Sequence, residues 1–143
     1  MSRNIGDLSP VMQALCQKHL DRCRRDLELK KRGVEVILTC TFRSAEEQAR
    51  LYAQGRDPGV PGPIVTNARP GQSAHNAADD RGTPKAEAYD VAILKDGKLA
   101  WNDSAVWELI GAHGVAAGLK WYGSPGVAFP EKPHFQNPNW RKP

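Results

Sequence analysis

From Gly55 to Gly82 the chain runs through glycine, proline, asparagine, aspartate and serine, with no stretch patterned as a helix or strand. Proline fixes its own backbone and pushes the preceding residue toward extended geometry, while glycine loses the most entropy on ordering. Regular structure must therefore lie on the two flanks of this segment. It is also longer than an ordinary connection, and long ordered loops in small domains are often functional. With 143 residues, 40% hydrophobic and 25% charged, the chain has apolar content for one packed core and no excess of charge that would favour disorder. We read residues 1–143 as a single domain, with an N-terminal helical region over 1–32 and a core over 33–143.

On the N-terminal flank, Ser9-Pro10 has the form of a helix start, and Val11, Met12, Leu15, Cys16, Leu20, Cys23 and Leu27 recur at helical spacing up to Gly33. His19 on this helix reads as a surface or boundary residue. Val34 to Thr41 is β-branched and apolar, a buried strand. Ser44-Ala-Glu-Glu47 has capping-box form and predicts a helix to about Gln54, stopped by Gly55. Beyond the long loop, Tyr89 to Leu94 predicts a strand, and Asp96-Gly97 a hairpin turn into a partner strand over Leu99 to Trp101. Asn102-Asp103-Ser104 can cap a third helix that carries His113 and stops at Gly118. Leu119 to Tyr122 and His134-Phe135 predict short strands. The fold class is α+β, a small antiparallel sheet flanked by about three helices.

The net charge of +4 favours an anionic partner, whether nucleic acid, a membrane surface or an acidic wall polymer. Its one cluster, Arg22, Arg24, Arg25, Lys30, Lys31 and Arg32, reads first as the solvated face of an amphipathic helix. Cys16, Cys23 and Cys40 are odd in number and lack CxxC spacing, which argues against a disulfide framework or an all-cysteine metal site; they read as small buried hydrophobes. No apolar run approaches membrane-spanning length, and Met1 to Asp7 lacks the basic-then-apolar pattern of a secretory signal. These features predict synthesis into the cytoplasm without stable membrane insertion.

Glu131-Lys-Pro-His-Phe-Gln136 sets a carboxylate three residues before a histidine in a segment too constrained by Pro133 to be helical. A histidine fixed on a strand with an acid just upstream suits a catalytic metal. His75 in the loop and Asp90 at a strand start complete a candidate set with His134. Two imidazoles and one carboxylate leave a position open on a tetrahedral zinc ion. Glu131 is then placed to handle protons, and Arg43, between a strand end and a helix start, to hold a developing oxyanion or a substrate carboxylate. That is chemistry suited to amide hydrolysis.

Thr41-Phe-Arg43-Ser44 with Glu47-Gln48, Ser73-Ala-His75, Ala88-Tyr-Asp90-Val, Gly118-Leu-Lys-Trp121 and Glu131-Lys-Pro-His134-Phe occur in an order that resembles the zinc D-alanyl-D-alanine carboxypeptidase and L-alanyl-D-glutamate peptidase family. That family includes phage endolysins and shares its fold with the hedgehog signalling domain. The resemblance covers roughly residues 33 to 140. It implies one zinc ion on His75, Asp90 and His134, Glu131 as general base and Arg43 as the transition-state arginine. Ser73, Gln48 and Tyr122 are implied as supporting or substrate-binding groups. It further implies a monomer acting on the peptidoglycan stem peptide, stored in the host cytoplasm and released to the wall at lysis.

One departure stands out. Relatives hold the first histidine and the aspartate within one compact motif, whereas His75 and Asp90 are fifteen positions apart. Residues from about 76 to 85, or as far as 88, read as an insertion bordering the cleft, and Asp79 or Asp80 remains an alternative ligand. The L-Ala-D-Glu cut is the expected reaction. A D-Ala-D-Ala carboxypeptidase or dipeptidase is the alternative within the same chemistry, and a non-catalytic zinc-stabilised wall-binding module lies outside it. A nucleic-acid role lacks aromatic platforms, and an iron facial triad lacks the tight His-x-Asp/Glu pair.

Overall fold

The computed structural model describes residues 1–127 and 130–143. Four helices, α1 (Pro10–Arg25), α2 (Leu27–Lys31), α3 (Ala45–Ala53) and α4 (Ser104–Ala117), surround strands β1 (Val34–Cys40), β2 (Ala88–Lys95), β3 (Lys98–Leu99), β4 (Lys120–Trp121) and β5 (His134–Gln136). The strands form one antiparallel sheet in the order β1-β2-β5-β4, with β3 pairing to β2. This is the α+β arrangement that the sequence predicts.

Local signals set most boundaries. Ser9 Oγ accepts from Met12 N and Pro10 opens α1. Ser44 and Glu47 exchange both hydrogen bonds of a capping box at α3. At the β2–β3 hairpin, Asp96 and Gly97 both take positive φ (51° and 80°), the backbone that a two-residue turn needs to match strand twist. The expected single helix from Pro10 to Gly33 is instead broken. Asp26 is extended (φ −70°, ψ 117°) and its carboxylate accepts from Leu29 N at 3.0 Å, starting α2 afresh. The restart shifts the helical phase, so Leu29 is buried while Leu27, expected on the apolar face, is exposed; Val11 also points outward.

Along β2 the side chains alternate. Tyr89, Val91 and Ile93 are fully buried and pack with Phe135, Trp121, Met12, Cys16, Trp107 and Ile110 in the core formed with α1 and α4. Each such large apolar side chain contributes about 1.5–3 kcal/mol on burial. α4 seats closely because it is small where it meets the sheet: a Cβ at Gly114 would stand 2.4 Å from the Phe135 ring. His19 is not at the surface as expected but fully buried, accepting from Tyr89 OH (2.6 Å) and donating through Nε2 to the Ile110 carbonyl (2.9 Å). Burial holds its pKa down to about 4, so it is a neutral core residue. Among the described residues no helix is long and apolar enough to cross a membrane.

Candidate metal centre

Asp90 leaves the core-facing alternation of β2 and stands on the opposite face from Tyr89 and Val91. Its register partners are Cys40 on β1 and His134 on β5, so one row across three adjacent strands carries a thiol, a carboxylate and an imidazole. A register shift between Leu38 and Cys40 brings Cys40 into that row, the re-aiming that a bulge provides. Because β2 is hydrogen-bonded on both sides, the row is held by backbone pairing rather than by loop packing.

His75 arrives from the long loop, on a short 3-10 helix over Ala74–Asn76. Ser73 Oγ accepts from His75 N at 3.2 Å, and the His75 carbonyl accepts from Arg43 N at 2.9 Å. Asn76 Nδ2 donates to the Arg43 carbonyl at 2.8 Å. The loop is thereby fastened to the end of β1. The result is that His75 Nε2 lies 3.3 Å and His134 Nδ1 3.0 Å from the same oxygen, Asp90 Oδ1.

The outer nitrogens decide which atoms face inward. His75 Nδ1 donates to the Thr41 carbonyl at 2.7 Å, and His134 Nε2 donates to Gln136 Oε1 at 2.8 Å. Each imidazole therefore turns a lone pair toward the Asp90 carboxylate, and three acceptor atoms converge. Such a set calls for a cation, either protons on the imidazoles or a metal ion. Tetrahedral ligands at about 2.1 Å stand roughly 3.4 Å apart, close to these separations. Burial alone would push the His75 pKa down and that of Asp90 up. Their mutual attraction overrides burial, holding His75 well above the usual imidazole range and Asp90 well below the usual carboxylate range.

Cys40 departs from its reading as a mere buried hydrophobe. Its Sγ lies with ligand atoms of His75 and Asp90, all within 4.8 Å of one another, a second grouping able to hold a metal. The sulfur stands 3.7 Å from His75 Nδ1, the nitrogen already committed to Thr41, which favours His134 over Cys40 as the third ligand.

The remaining expected residues surround this centre. Glu131 Oε2 is 3.9 Å from His134 Nδ1; burial raises its pKa and so does the Asp90 charge, against attraction from His134, His75 and Arg43. Arg43 Nη2 is 3.7 Å from Asp90 Oδ2, while Nη1 donates to Gln48 Oε1 at 3.0 Å. Gln48 is fully buried and donates onward to the Ala68 carbonyl at 2.8 Å, tying α3 to the loop. Tyr122 sets its ring edge-on to His134 with centroids 4.6 Å apart. Its N–H donates to the His134 carbonyl and its own carbonyl accepts from Glu131 N, both at 3.0 Å. Asp79 and Asp80 stand apart: both are exposed, and Asp79 Oδ1 accepts from Arg81 N and Thr83 N within a local turn.

Two cavities, of about 200 and 230 Å³, meet along Thr66, Ser73, Glu131 and His134. The first continues past Tyr122 and Gln136 to Trp140, the second past His75 and Asp90 to Arg43 and Leu51. No residue from 77 to 87 lines either one, so the segment read as an insertion, expected to border the cleft, lies outside both cavities. It folds on itself, with Lys85 N donating to the Ala77 carbonyl at 2.9 Å, and so returns the chain to its starting point before Asp90. Sequence reasoning did not single out Cys40, the Thr41 carbonyl or Gln136 as parts of the site. For Gln136 a signal existed, since residues i and i+2 of a strand share a face.

With that geometry in place, the family profile of VanY D-alanyl-D-alanine carboxypeptidases matches residues 12–119. The chain belongs to this family. Over 114 residues it is 33% identical to the peptidoglycan L-alanyl-D-glutamate endopeptidase CwlK of Bacillus subtilis (strain 168), covering 73% of this chain and 62% of CwlK. The chain thus spans under two thirds of that relative's length. Its fold is similar to that of the L-Ala D-Glu endopeptidase ChiX of Serratia marcescens, with a TM-score of 0.58 at 16% identity, over 94% of this chain and 83% of ChiX.

Proposed function

We propose that this VanY-family chain is a zinc-dependent peptidoglycan peptidase that hydrolyses the L-Ala-D-Glu bond of the stem peptide. The observation that carries the endopeptidase reading is the cleft: space for substrate extends on both sides of the Glu131–His134 pair, as a cut within a peptide requires. The family resemblance and the similarity to CwlK support the substrate class.

His75 Nε2, Asp90 Oδ1 and His134 Nδ1 are the atoms that would hold zinc. Bound there, zinc supplies Lewis acidity toward a scissile carbonyl. Glu131 faces both cavities, where it can take a proton from the attacking water and return it to the leaving amine. Arg43 presents a guanidinium kept in place by Gln48, suited to a developing oxyanion or a substrate carboxylate. Ser73 keeps His75 in position through its backbone, and Tyr122 ties Glu131 and His134 into one strand edge. We further infer a monomer serving phage-type lysis, a setting supported by the resemblance to endolysins.

Digestion of purified murein with the zinc-loaded chain tests this reading. Mass spectrometry should show new D-Glu amino termini, abolished by a chelator. The family's D-alanyl-D-alanine carboxypeptidase members favour a second reading, a carboxypeptidase, for which the same digest would instead show loss of terminal D-Ala. Intact murein under zinc-replete conditions would defeat both.

A further inference from the structure

The chain's whole surplus of positive charge sits in one fifteen-residue stretch. From Lys18 to Arg32 there are seven Lys or Arg against three Asp or Glu, a surplus of four that equals the chain's net +4. The structure bends this stretch at Asp26, where α1 gives way to α2. Arg24 and Arg32 are paired locally, to Asp21 at 3.0 Å and Glu28 at 2.8 Å, whereas Arg25, Lys30 and Lys31 are exposed and make no ion pair among the described residues.

At the bend stands Leu27, 78% exposed, the most exposed large apolar side chain among the described residues. Lys30 and Lys31 follow it at the three- and four-residue spacing that brings helical side chains together. Arg24 and Arg25 flank it across the bend. An acidic polymer would neutralise these charges but give Leu27 nowhere to go. A lipid surface satisfies both, since basic groups meet anionic headgroups while an apolar side chain enters the acyl boundary.

We propose that the α1–α2 bend docks the protein on an anionic phospholipid surface, with Leu27 inserted and Arg25, Lys30 and Lys31 on the headgroups. β1 starts beside α2 and runs to Cys40 in the metal centre, a span of roughly 20 Å at strand rise. Docking at the bend therefore leaves the cleft open to substrate at the far end of the strand.

Cosedimentation of the full chain with phosphatidylcholine vesicles, with and without phosphatidylglycerol, tests this. Binding should require phosphatidylglycerol and weaken as salt rises. The double variant Lys30→Ser/Lys31→Ser should bind roughly thirtyfold more weakly, at about fivefold per basic residue. Leu27→Ser should also bind more weakly while keeping the salt dependence. Both variants should retain wild-type zinc content and thermal unfolding, which separates lost docking from lost fold. Equal partitioning onto both kinds of vesicle, or unaltered binding in either variant, would overturn the proposal. So would capture by a soluble polyanion such as polyglutamate with no vesicle binding.

Discussion

Gln136 Oε1 accepts a hydrogen bond from His134 Nε2 at 2.8 Å, two residues along the same face of β5. That bond commits the outer nitrogen as N–H and leaves the Nδ1 lone pair facing inward. Partners of this kind typically account for 10–100-fold in metal affinity. Gln136→Leu should lower zinc affinity by about that factor, measured by competition with a chromophoric chelator. Gln136→Glu, which keeps an acceptor, should lose far less.

The proposed ligand set predicts the metal stoichiometry. His75→Ala, His134→Ala and Asp90→Ala should each be purified with little zinc. Cys40→Ala and Asp79→Ala should keep one ion per chain by elemental analysis. Zinc at about a hundred times its dissociation constant should add about 2.7 kcal/mol to the stability of the wild-type chain, seen as a raised unfolding midpoint that a chelator reverses. Retention of zinc by His134→Ala together with its loss from Cys40→Ala would transfer the third ligand to the thiol.

For Glu131 the expectation is a separation of chemistry from binding. Glu131→Gln should bind zinc and unfold as the wild type does, yet hydrolyse murein at least about a hundredfold more slowly. Burial raises the Glu131 pKa, so this carboxylate, the proposed base, ionises at a higher pH than an ordinary glutamate. The acidic limb of the wild-type pH–rate profile should accordingly lie above the usual glutamate value of 4.5, with activity rising as pH increases through it.

His19 should make stability depend on mildly acidic pH. In the unfolded chain its imidazole takes a proton near 6.5, but the buried ring resists protonation until about 4. The unfolded state therefore binds more protons across that window, and stability should fall by about 3 kcal/mol as pH drops from 6.5 to 4. Denaturant unfolding at a series of pH values would show it, and His19→Gln should flatten that part of the curve.

Gly114 tests how tightly α4 is seated behind the candidate metal centre. A methyl group there would meet the Phe135 ring at 2.4 Å, and Phe135 follows His134 on β5. Gly114→Ala should destabilise by about 1–3 kcal/mol through overpacking, despite alanine's higher helix propensity. Equilibrium denaturation would check the value.

Caps, turn residues and hydrophobic periods, which act over a few positions, made most of the fold legible in the sequence. Ser9, the Ser44–Glu47 box and Asp96-Gly97 all lie at the boundaries they predict. The break at Asp26 was hidden because a capping aspartate inside a charged helix also reads as an ordinary surface acid. His19 was misplaced because its burial depends on Tyr89 and the Ile110 carbonyl, partners seventy and more residues away. Chemical type and strand placement, together with the motif order that resembles the peptidase family, suggested His75, Asp90, His134, Glu131 and Arg43 as a group. The contributions of Cys40 and the Thr41 carbonyl were illegible, since they depend on a register shift and on backbone orientation that only the assembled sheet defines.

The excursion between Ala77 and Lys85 closes on itself through paired backbone groups, and Asp79 to Thr83 form its exposed tip. Chain entering and leaving at one spot makes the tip interchangeable: a peptide tag, a fluorophore anchor or a wall-targeting module could be spliced there without altering how His75 and Asp90 meet. The same closure explains how fifteen positions of separation in sequence can coexist with neighbouring side chains in space.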